Sequence, residues 1–412
     1  MVWQSVLADF SLAINGNRFA MDSANFFETE KRSLVKPLLS KLHFVVALMV
    51  VVFAGQHIFA QEFKSPVRPQ SGTTQQPVIQ QPAVQQPALN TQTNQQQKTA
   101  QVNQGSQTKT GLELPSQFDQ ERAFQHLVSI CEIGPRVSAS PGMRKQQKYI
   151  NAYFTKHFKP DGAKFYSQPF TVRSPYNLNR RVELQNIIIQ FHPERKKRLL
   201  LCCHHDTRPF ADADRANPRA KFIGANDGAS GVALLLEMGM HLQEMDGTLG
   251  VDLIFFDGEE FVIQRQRDPM FLGSTHFSNE YAAGKIGWKY EYGLLVDMIG
   301  DKDLQIYYEG NSLGFADQLT RGIWTVANEL GVKEFIPQKR HQIRDDHLPL
   351  NSIAGIQTVD IIDFDYPNPK MGNQYWHTRN DVVKNCSADS LGKVGKVVLE
   401  WLRRVQKLNK AK

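Results

Sequence analysis

Two adjacent carboxylates, Glu259 and Glu260, come directly after an apolar run that ends in Phe255-Phe256-Asp257-Gly258. Neighbouring carboxylates at the end of a buried strand repel each other unless they share a cation or a proton. One of them can bind a metal ion while the other transfers a proton. An isolated Asp-Gly-Glu-Glu segment is also compatible with an exposed acidic turn, so the rest of the chain has to decide.

Other residues able to bind a metal ion lie where predicted strands end. His204 follows one apolar strand, Asp227 comes shortly after a strand of its own, and Asp297 ends another. His377 belongs to a later loop. Each has a structural alternative: a core histidine, a helix cap, a turn residue or a loop histidine. Because the carboxyl ends of strands in an α/β sheet meet in one crevice, their joint placement favours a zinc site.

The elements that must position these residues alternate between strands and helices. Apolar strands are predicted at residues 164–172, 182–191, 198–203, 251–256, 292–296, 304–308 and 356–362. Helices are predicted at residues 120–133, 140–158, 232–245, 274–282, 315–330 and 388–408. This order predicts an α/β fold, a single domain with a central mixed, mostly parallel sheet covered by helices on both faces.

Composition divides the 412 residues into three parts. Residues 1–60 contain a basic flank followed by an apolar run, a combination that is typical of a secretory signal. The apolar run is too short for most membrane-spanning helices. Residues 61–115 are rich in Gln, Pro, Thr and Asn and predict a disordered linker. Residues 116–412 are long enough to bury a substantial core as one α/β domain, which would hold the candidate metal site and is the expected catalytic domain. The protein is expected to be exported, periplasmic or secreted, with membrane contact only if residues 44–60 are retained as an anchor.

Charge and cysteine content narrow the partners. The net charge of +7 is dispersed, and no basic stripe with interleaved aromatic residues suggests a nucleic-acid partner. The cysteine spacing gives no zinc-knuckle pattern, and Cys202 and Cys203 face opposite sides of one strand. The cysteines are expected mainly to pack the core, although export would allow Cys131 or Cys386 to pair with one of them. The chain is expected to be a monomer.

The ordered motifs resemble those of the zinc-aminopeptidase family of exopeptidases. They are His204-x-Asp206, Gly224-Ala225-Asn226-Asp227-Gly228-Ala229-Ser230-Gly231, Asp257-Gly258-Glu259-Glu260, Asp297 and His377, after an entry segment with Ile133-Gly134-Pro135-Arg136 and Ser140-Pro141-Gly142. Further segments resemble the glutaminyl-peptide cyclotransferase branch, the glutaminyl cyclases: Asp345-Asp346-His347-Leu348-Pro349-Leu350, Val359-Asp360-Ile361-Ile362-Asp363 and Tyr375-Trp376-His377-Thr378. The resemblance covers residues 116–412 and implies a zinc-exopeptidase-like fold.

For the reaction, the resemblance implies one zinc ion held by Asp227, Glu260 and His377, with Glu259 as general base and acid. The implied activity is zinc-dependent cyclisation of the N-terminal glutamine of peptides or proteins to pyroglutamate, with release of ammonia. The partners would then be peptides or proteins that begin with glutamine.

The resemblance also implies roles around the metal. Asp297 and Asp345 would form a carboxylate pair that steers protons, and Trp376 and Asp360 would contact the substrate. The chain departs from the animal enzymes at two points. Arg265 stands where they carry a pocket tryptophan, and Asp360 stands where they carry a histidine, as in the bacterial cyclases.

Two alternatives use the same residues differently. A two-zinc aminopeptidase would hold a second metal with His204 and Asp297, while Asp227 bridges the ions and Glu259 activates water for hydrolysis. The second alternative is an inactive, tethered binding module, and an intact Glu259 argues against it. Three residues for which hydrolysis has no evident need favour the cyclase: Asp345, Asp360 and Trp376.

The N-terminal segment carries a further expectation. Cleavage after Ala60 would make Gln61 the first residue of the mature chain, and therefore itself a possible substrate. The exported protein is then expected to begin with pyroglutamate, and an unblocked Gln61 would count against this hypothesis.

Overall fold

The computed structural model describes residues 117–158, 162–366 and 375–410. Its helices and strands are, in chain order, α1 Gln120–Glu132, α2 Pro141–His157, β1 Ala163–Ser174, β2 Asn177–Phe191, β3 Lys197–His204, α3 Ala229–Leu242, β4 Gly250–Phe256, α4 Leu272–Ala282, β5 Lys289–Asp297, β6 Ile306–Tyr308, α5 Gly310–Glu329, β7 Phe335–Lys339, α6 His347–Ser352, β8 Thr358–Ile362 and α7 Ala388–Lys410. The predicted signal segment, linker and Gln61 lie outside the described residues. No helix among those described has the length and apolar character needed to cross a bilayer.

Six strands form the central sheet in the order β1-β2-β4-β3-β5-β8. Strands β4, β3, β5 and β8 run parallel to one another. Strands β1 and β2 form an antiparallel pair, and β2 continues antiparallel to β4. The sheet is therefore mixed and mostly parallel, which confirms the predicted fold class. Its parallel part runs from β4 to the edge strand β8 and positions the candidate site.

Helices cover both faces of this sheet. Leu199, Leu201 and Cys203 of β3 belong to a core shared with α1, α3 and α7. Leu200 and Cys202 point to the opposite face, where α4 and α6 contribute Phe277 and Leu350. The alternation follows from the two-residue period of a strand. All four cysteines are free and buried, so the expectation that they pack the core is confirmed.

Three local predictions need correction. Residues 222–226 form a loop, so Asp227 does not follow a strand of its own. Strand β6 is shorter than predicted and pairs with the unpredicted β7 in a separate two-stranded sheet. Helix α5 is kinked at Ala316, near the predicted start at residue 315, and the prediction missed the turn before the kink, which begins at Gly310 where the Glu309 carboxylate accepts backbone N–H groups.

Candidate active site

The parallel strands bring several titratable side chains to one edge of the sheet. His204 is the last residue of β3, and Asp297 is the last residue of β5. Glu259 and Glu260 follow β4 after a turn at Gly258, whose φ of 81° suits glycine. All four side chains are buried at the carboxyl ends of the strands, where α/β proteins commonly form their sites.

Asp227 reaches the same edge from the loop before α3. Its Oδ1 lies 3.3 Å from Nε2 of His204, and its Oδ2 lies 3.4 Å from Nε2 of His377. No side chain caps the N-terminus of α3, whose preceding residue is Gly228. The alternative that Asp227 is only a helix cap is therefore wrong. Its carboxylate faces two imidazoles instead.

His377 approaches the cluster from the loop before α7. Its Nε2 lies 2.7 Å from Oε1 of Glu260. Its φ of 54° is a left-handed conformation that residues other than glycine rarely adopt, and the ring stacks on Trp376 with centroids 3.8 Å apart. Such backbone strain is common at functional sites because the surrounding packing maintains it.

The second ring nitrogen of His377 has two neighbours. Its Nδ1 lies 3.3 Å from Oδ1 of Asp212 and 2.9 Å from Nη2 of Arg265. A guanidinium only donates hydrogen bonds, so the Arg265 contact requires a bare Nδ1, whereas the Asp212 contact requires N–H there. A metal ion held at Nε2 would select the second tautomer, and Asp212 would then orient the ring.

Donor atoms of His204, Asp227 and Glu260 all lie within 4.8 Å of one another, and His377 adjoins the last two. Burial, followed by the charge of Asp227, raises the pKa of Glu260 to about 7. Burial alone lowers the pKa of His377, but Glu260 and the other carboxylates around it raise that pKa to about 9. Buried imidazoles and carboxylates in this arrangement fit the ligand chemistry of zinc.

Glu259 lies beside the cluster, among carboxylates. Its backbone N–H and that of Glu260 donate to the two carboxylate oxygens of Asp206, at 3.1 and 3.0 Å. Asp206 therefore fixes the acidic pair. Burial, and then the charge of Asp345, raises the pKa of Glu259 well above its ordinary value. A carboxyl group with a raised pKa can accept and return a proton near neutral pH.

Asp297 and Asp345 are neighbours across the same space. Oδ1 of Asp297 lies 3.1 Å from Nε2 of His204 and accepts the backbone N–H of Met298 at 2.8 Å. Burial and then the charge of Asp297 raise the pKa of Asp345 well above its ordinary value. The two carboxylates therefore favour a shared proton or a nearby cation.

A cavity of about 60 Å³ opens over these groups, and Trp376 and Asp345 line it. The guanidinium of Arg265 lies 4.9 Å from the Trp376 ring, with the Arg265 side chain 48% exposed. Asp360 is fully buried and does not line the cavity. Its Oδ2 lies 3.6 Å from Nδ1 of His347, so its predicted contact with a substrate stays a prediction.

Sequence reasoning missed several residues that hold the site. The Asp381 carboxylate accepts the backbone N–H of Asp227 at 3.1 Å. The backbone N–H of Arg208 donates to Oε2 of Glu260 at 2.9 Å. Asp212, next to His377, was also missed. These residues lie in loops, where no periodic pattern marks them, and only the folded chain brings them to the metal-ligand candidates.

Comparisons with known proteins agree with this geometry. Residues 186–402 match the model of peptidase family M28. The crystal structure of Fimbriiglobus ruber glutaminyl cyclase is 34% identical, with a TM-score of 0.64, covering 73% of this chain and 99% of that chain. The crystal structure of a Zn-dependent exopeptidase from Parabacteroides distasonis is 31% identical in sequence, with a TM-score of 0.62. This match covers 70% of this chain and 98% of that chain. The Dictyostelium discoideum glutaminyl-peptide cyclotransferase is 24% identical over 349 residues, covering 73% of this chain and 90% of that protein.

Proposed function

Because the chain belongs to peptidase family M28, we propose that it is a glutaminyl-peptide cyclotransferase, an acyltransferase that converts N-terminal glutamine to pyroglutamate and releases ammonia. One observation carries the proposal: the cavity that holds the acidic pair is also lined by Asp345 and Trp376, for which peptide hydrolysis has no evident need. The similarity to a bacterial glutaminyl cyclase supports it.

Asp227, Glu260 and His377 would hold one zinc ion, which fits their buried carboxylate and imidazole donors. When bound, zinc supplies positive charge that polarises the γ-carbonyl group of the glutamine. Asp212 would keep the proton of His377 on Nδ1, and Asp206 would keep the backbone of the acidic pair in place.

The covalent change takes place within one residue of the substrate. The α-amine attacks the γ-carbonyl carbon, a C–N bond forms, and the bond to the side-chain nitrogen breaks. Glu259 accepts a proton from the amine and returns it to the departing ammonia. Because the nucleophile is already tethered, the cavity accelerates the reaction chiefly by holding the folded-back conformation.

The neighbouring residues would hold the reacting amine. Asp297 and Asp345 would bind it and steer its proton, and the indole of Trp376 would form the wall against the glutamine side chain. Asp360 would act through Asp345, since burial and then the charge of Asp345 raise the pKa of Asp360 well above its ordinary value. A cavity of about 60 Å³ suits a short polar side chain.

A two-zinc aminopeptidase is the second candidate function. Nε2 of His204 lies 3.1 Å from Asp297 and 3.3 Å from Asp227, so these three residues would hold a second ion. The similarity to a Zn-dependent exopeptidase also favours it. In that case Glu259 would activate water, and the product would be a free amino acid.

Two peptides that differ only in their first residue, Gln or Leu, distinguish these functions when each is incubated with zinc-loaded protein. The cyclase releases ammonia from the Gln peptide in proportion to the loss of its free amine, and it releases no free amino acid. Release of free Leu would support the aminopeptidase and contradict the cyclase.

Export and monomeric state are part of the same proposal. The apolar run within residues 44–60 supports export to the periplasm or the medium, where proteins with N-terminal glutamine would be substrates. Fractionation of the native host cells tests the location. Sedimentation of the purified chain tests the monomer, and a mass above one chain would contradict it.

A further inference from the structure

Arg344 is an exposed arginine in the wall of the active-site cavity. Its guanidinium lies 5.9 Å from the centroid of the Phe271 ring, which gives it an aromatic surface to rest on. Within residues 117–158, 162–366 and 375–410, no carboxylate forms an ion pair with it. Arg344 therefore presents, among the residues that the structure describes, a positive charge without an acidic partner beside the cavity.

The other arginines of this region are already engaged. Arg208 is buried and donates to both carboxylate oxygens of Asp212, at 3.0 and 2.7 Å. Arg340 forms an ion pair with Asp365 at 2.9 Å. Arg265 lies 3.5 Å from Asp212. Arg344 thus differs from its neighbours in combining exposure, a place in the cavity wall and the lack of a charged partner among the described residues.

The inner part of the cavity has the opposite charge. Five carboxylates line it: Asp227, Glu259, Glu260, Asp297 and Asp345. They suit a metal cation and the ammonium group of a peptide, and they repel a substrate carboxylate. Of the two arginines among the described residues that line the cavity, Arg208 is paired with Asp212, so Arg344 offers the planar set of N–H donors that would stabilise a substrate carboxylate.

We propose that Arg344 binds a carboxylate that the substrate carries just beyond its N-terminal glutamine, so that the enzyme prefers acidic peptides. The inference rests on the proposed cyclase function. The glutamine side chain occupies the small cavity, and each further residue extends the peptide by about 3.5 Å, which leaves the next residues at the rim. The carboxylate comes either from an Asp or Glu side chain or from the C-terminus of a short peptide.

The test compares kcat/KM for two amidated peptides, Gln-Glu-Ala and Gln-Gln-Ala, which differ by one charge at equal size. The wild-type protein is expected to favour the Glu peptide about fivefold, mainly through KM, as for a partly exposed ion pair. The ratio should shrink as salt is raised. A second pair of peptides, Gln-Ala-Ala with a free and with an amidated C-terminus, shows whether Arg344 also binds the C-terminal carboxylate of a short peptide.

Arg344→Gln is expected to reduce the ratio to about 1, and Arg344→Lys to retain part of it. Arg340→Gln is the matched control, because Arg340 pairs with Asp365 and does not line the cavity; its ratio should equal that of the wild type. A wild-type ratio near 1 on both pairs, or a preference that survives in Arg344→Gln, would overturn the inference while leaving the cyclase intact. If no peptide is cyclised, both the inference and the proposed function are contradicted.

Discussion

Glu259 and Glu260 are adjacent in the chain, yet their side chains meet different neighbours. Glu260 faces Nε2 of His377 at 2.7 Å and accepts the backbone N–H of Arg208. Glu259 lies near Asp345, whose charge adds to burial in raising the pKa of Glu259. The two carboxylates therefore suit different tasks, one as a metal ligand and the other as a proton carrier.

Glu259→Gln tests the proton carrier. The amide has the same shape but cannot accept a proton, so ammonia release from a Gln peptide should fall about 10²- to 10⁴-fold with unchanged zinc content. Glu194→Gln, an exposed change, is the control and should keep full activity. Activity of Glu259→Gln within tenfold of the wild type would contradict the assignment.

Asp212→Asn tests the orientation of His377. Loss of the carboxylate removes the partner of the Nδ1 proton, and zinc affinity should fall about 10- to 100-fold. Competition with a chelating dye measures the affinity directly. Asp317→Asn, in an exposed pair with Arg321, should leave the affinity unchanged. An equal affinity for the Asp212 variant would remove this role.

His204, Glu260 and Asp297 were open to prediction because they stand at or just after strand ends. Asp227 and His377 lie in loops and were predicted because the order of the motifs along the chain resembles a known family. The contacts that hold these metal-ligand candidates in place could not be predicted from the sequence. Asp212 and Asp381 act across long sequence separations from loops without periodicity. Asp206 stood in a recognisable motif, but its bonds to the backbone after β4 depend on the parallel pairing of β3 with β4.

At the scale of elements, helix α3 packs closely on the sheet because Gly231 has no side chain. A Cβ atom there would lie 2.7 Å from Cβ of Cys203 and 2.7 Å from the carbonyl oxygen of Val296. This close approach positions the loop before α3, which carries Asp227, against the ends of β3 and β5. The geometry of the site therefore depends on the packing of this helix.

Gly231→Ala should lower the free energy of unfolding by about 1 to 3 kcal/mol, the range for an overpacked core. Gly322→Ala is the matched control in α5, since no atom lies within 4 Å of its added Cβ. It should stabilise the protein by about 0.5 to 1 kcal/mol, because alanine favours a helix more than glycine does. Urea denaturation measures both values, and equal effects would contradict the packing account.

Long strands and helices were predictable from their periodicity, whereas short elements were not. Helix α6 contains Pro349 and spans only six residues, and so short a segment shows no helical periodicity in the sequence. Among the described residues, strand β7 pairs with the three residues of β6 alone, so its existence depends on a tertiary contact. The start of α5 is set by Glu309, a less common capping residue.

At the scale of the whole molecule, α1 is joined to the core by a partly buried charge network centred on the buried Glu237. The Glu237 carboxylate on α3 accepts a hydrogen bond from Nη2 of Arg122 at 2.7 Å and from the backbone N–H of Asp119 at 3.1 Å. His126, nearby on α1, is buried, and its Nδ1 lies 2.7 Å from the hydroxyl of Tyr149. Docking of α1 therefore depends on the charges of these groups.

Acidification should weaken this docking through His126. Burial lowers its pKa from 6.5 to about 4, so the unfolded chain binds a proton more readily between these values. The stabilising effect of the neutral imidazole is complete above pH 6.5 and is lost as the pH falls towards 4. Between pH 7 and 4.5 the wild type should lose about 2 kcal/mol more stability than His126→Gln. Urea denaturation at both pH values measures this, and equal losses would contradict it.

In the proposed reaction the nucleophile is the substrate's own amine and not water. The most direct test is mass spectrometry of a Gln peptide incubated with zinc-loaded protein in water labelled with heavy oxygen. The expected peptide product is lighter than the substrate by one ammonia and free of label, and Glu259→Gln should form it about 10²- to 10⁴-fold more slowly. Heavy oxygen in a newly formed carboxylate, on released glutamine or on the peptide, would show hydrolysis and contradict the claim.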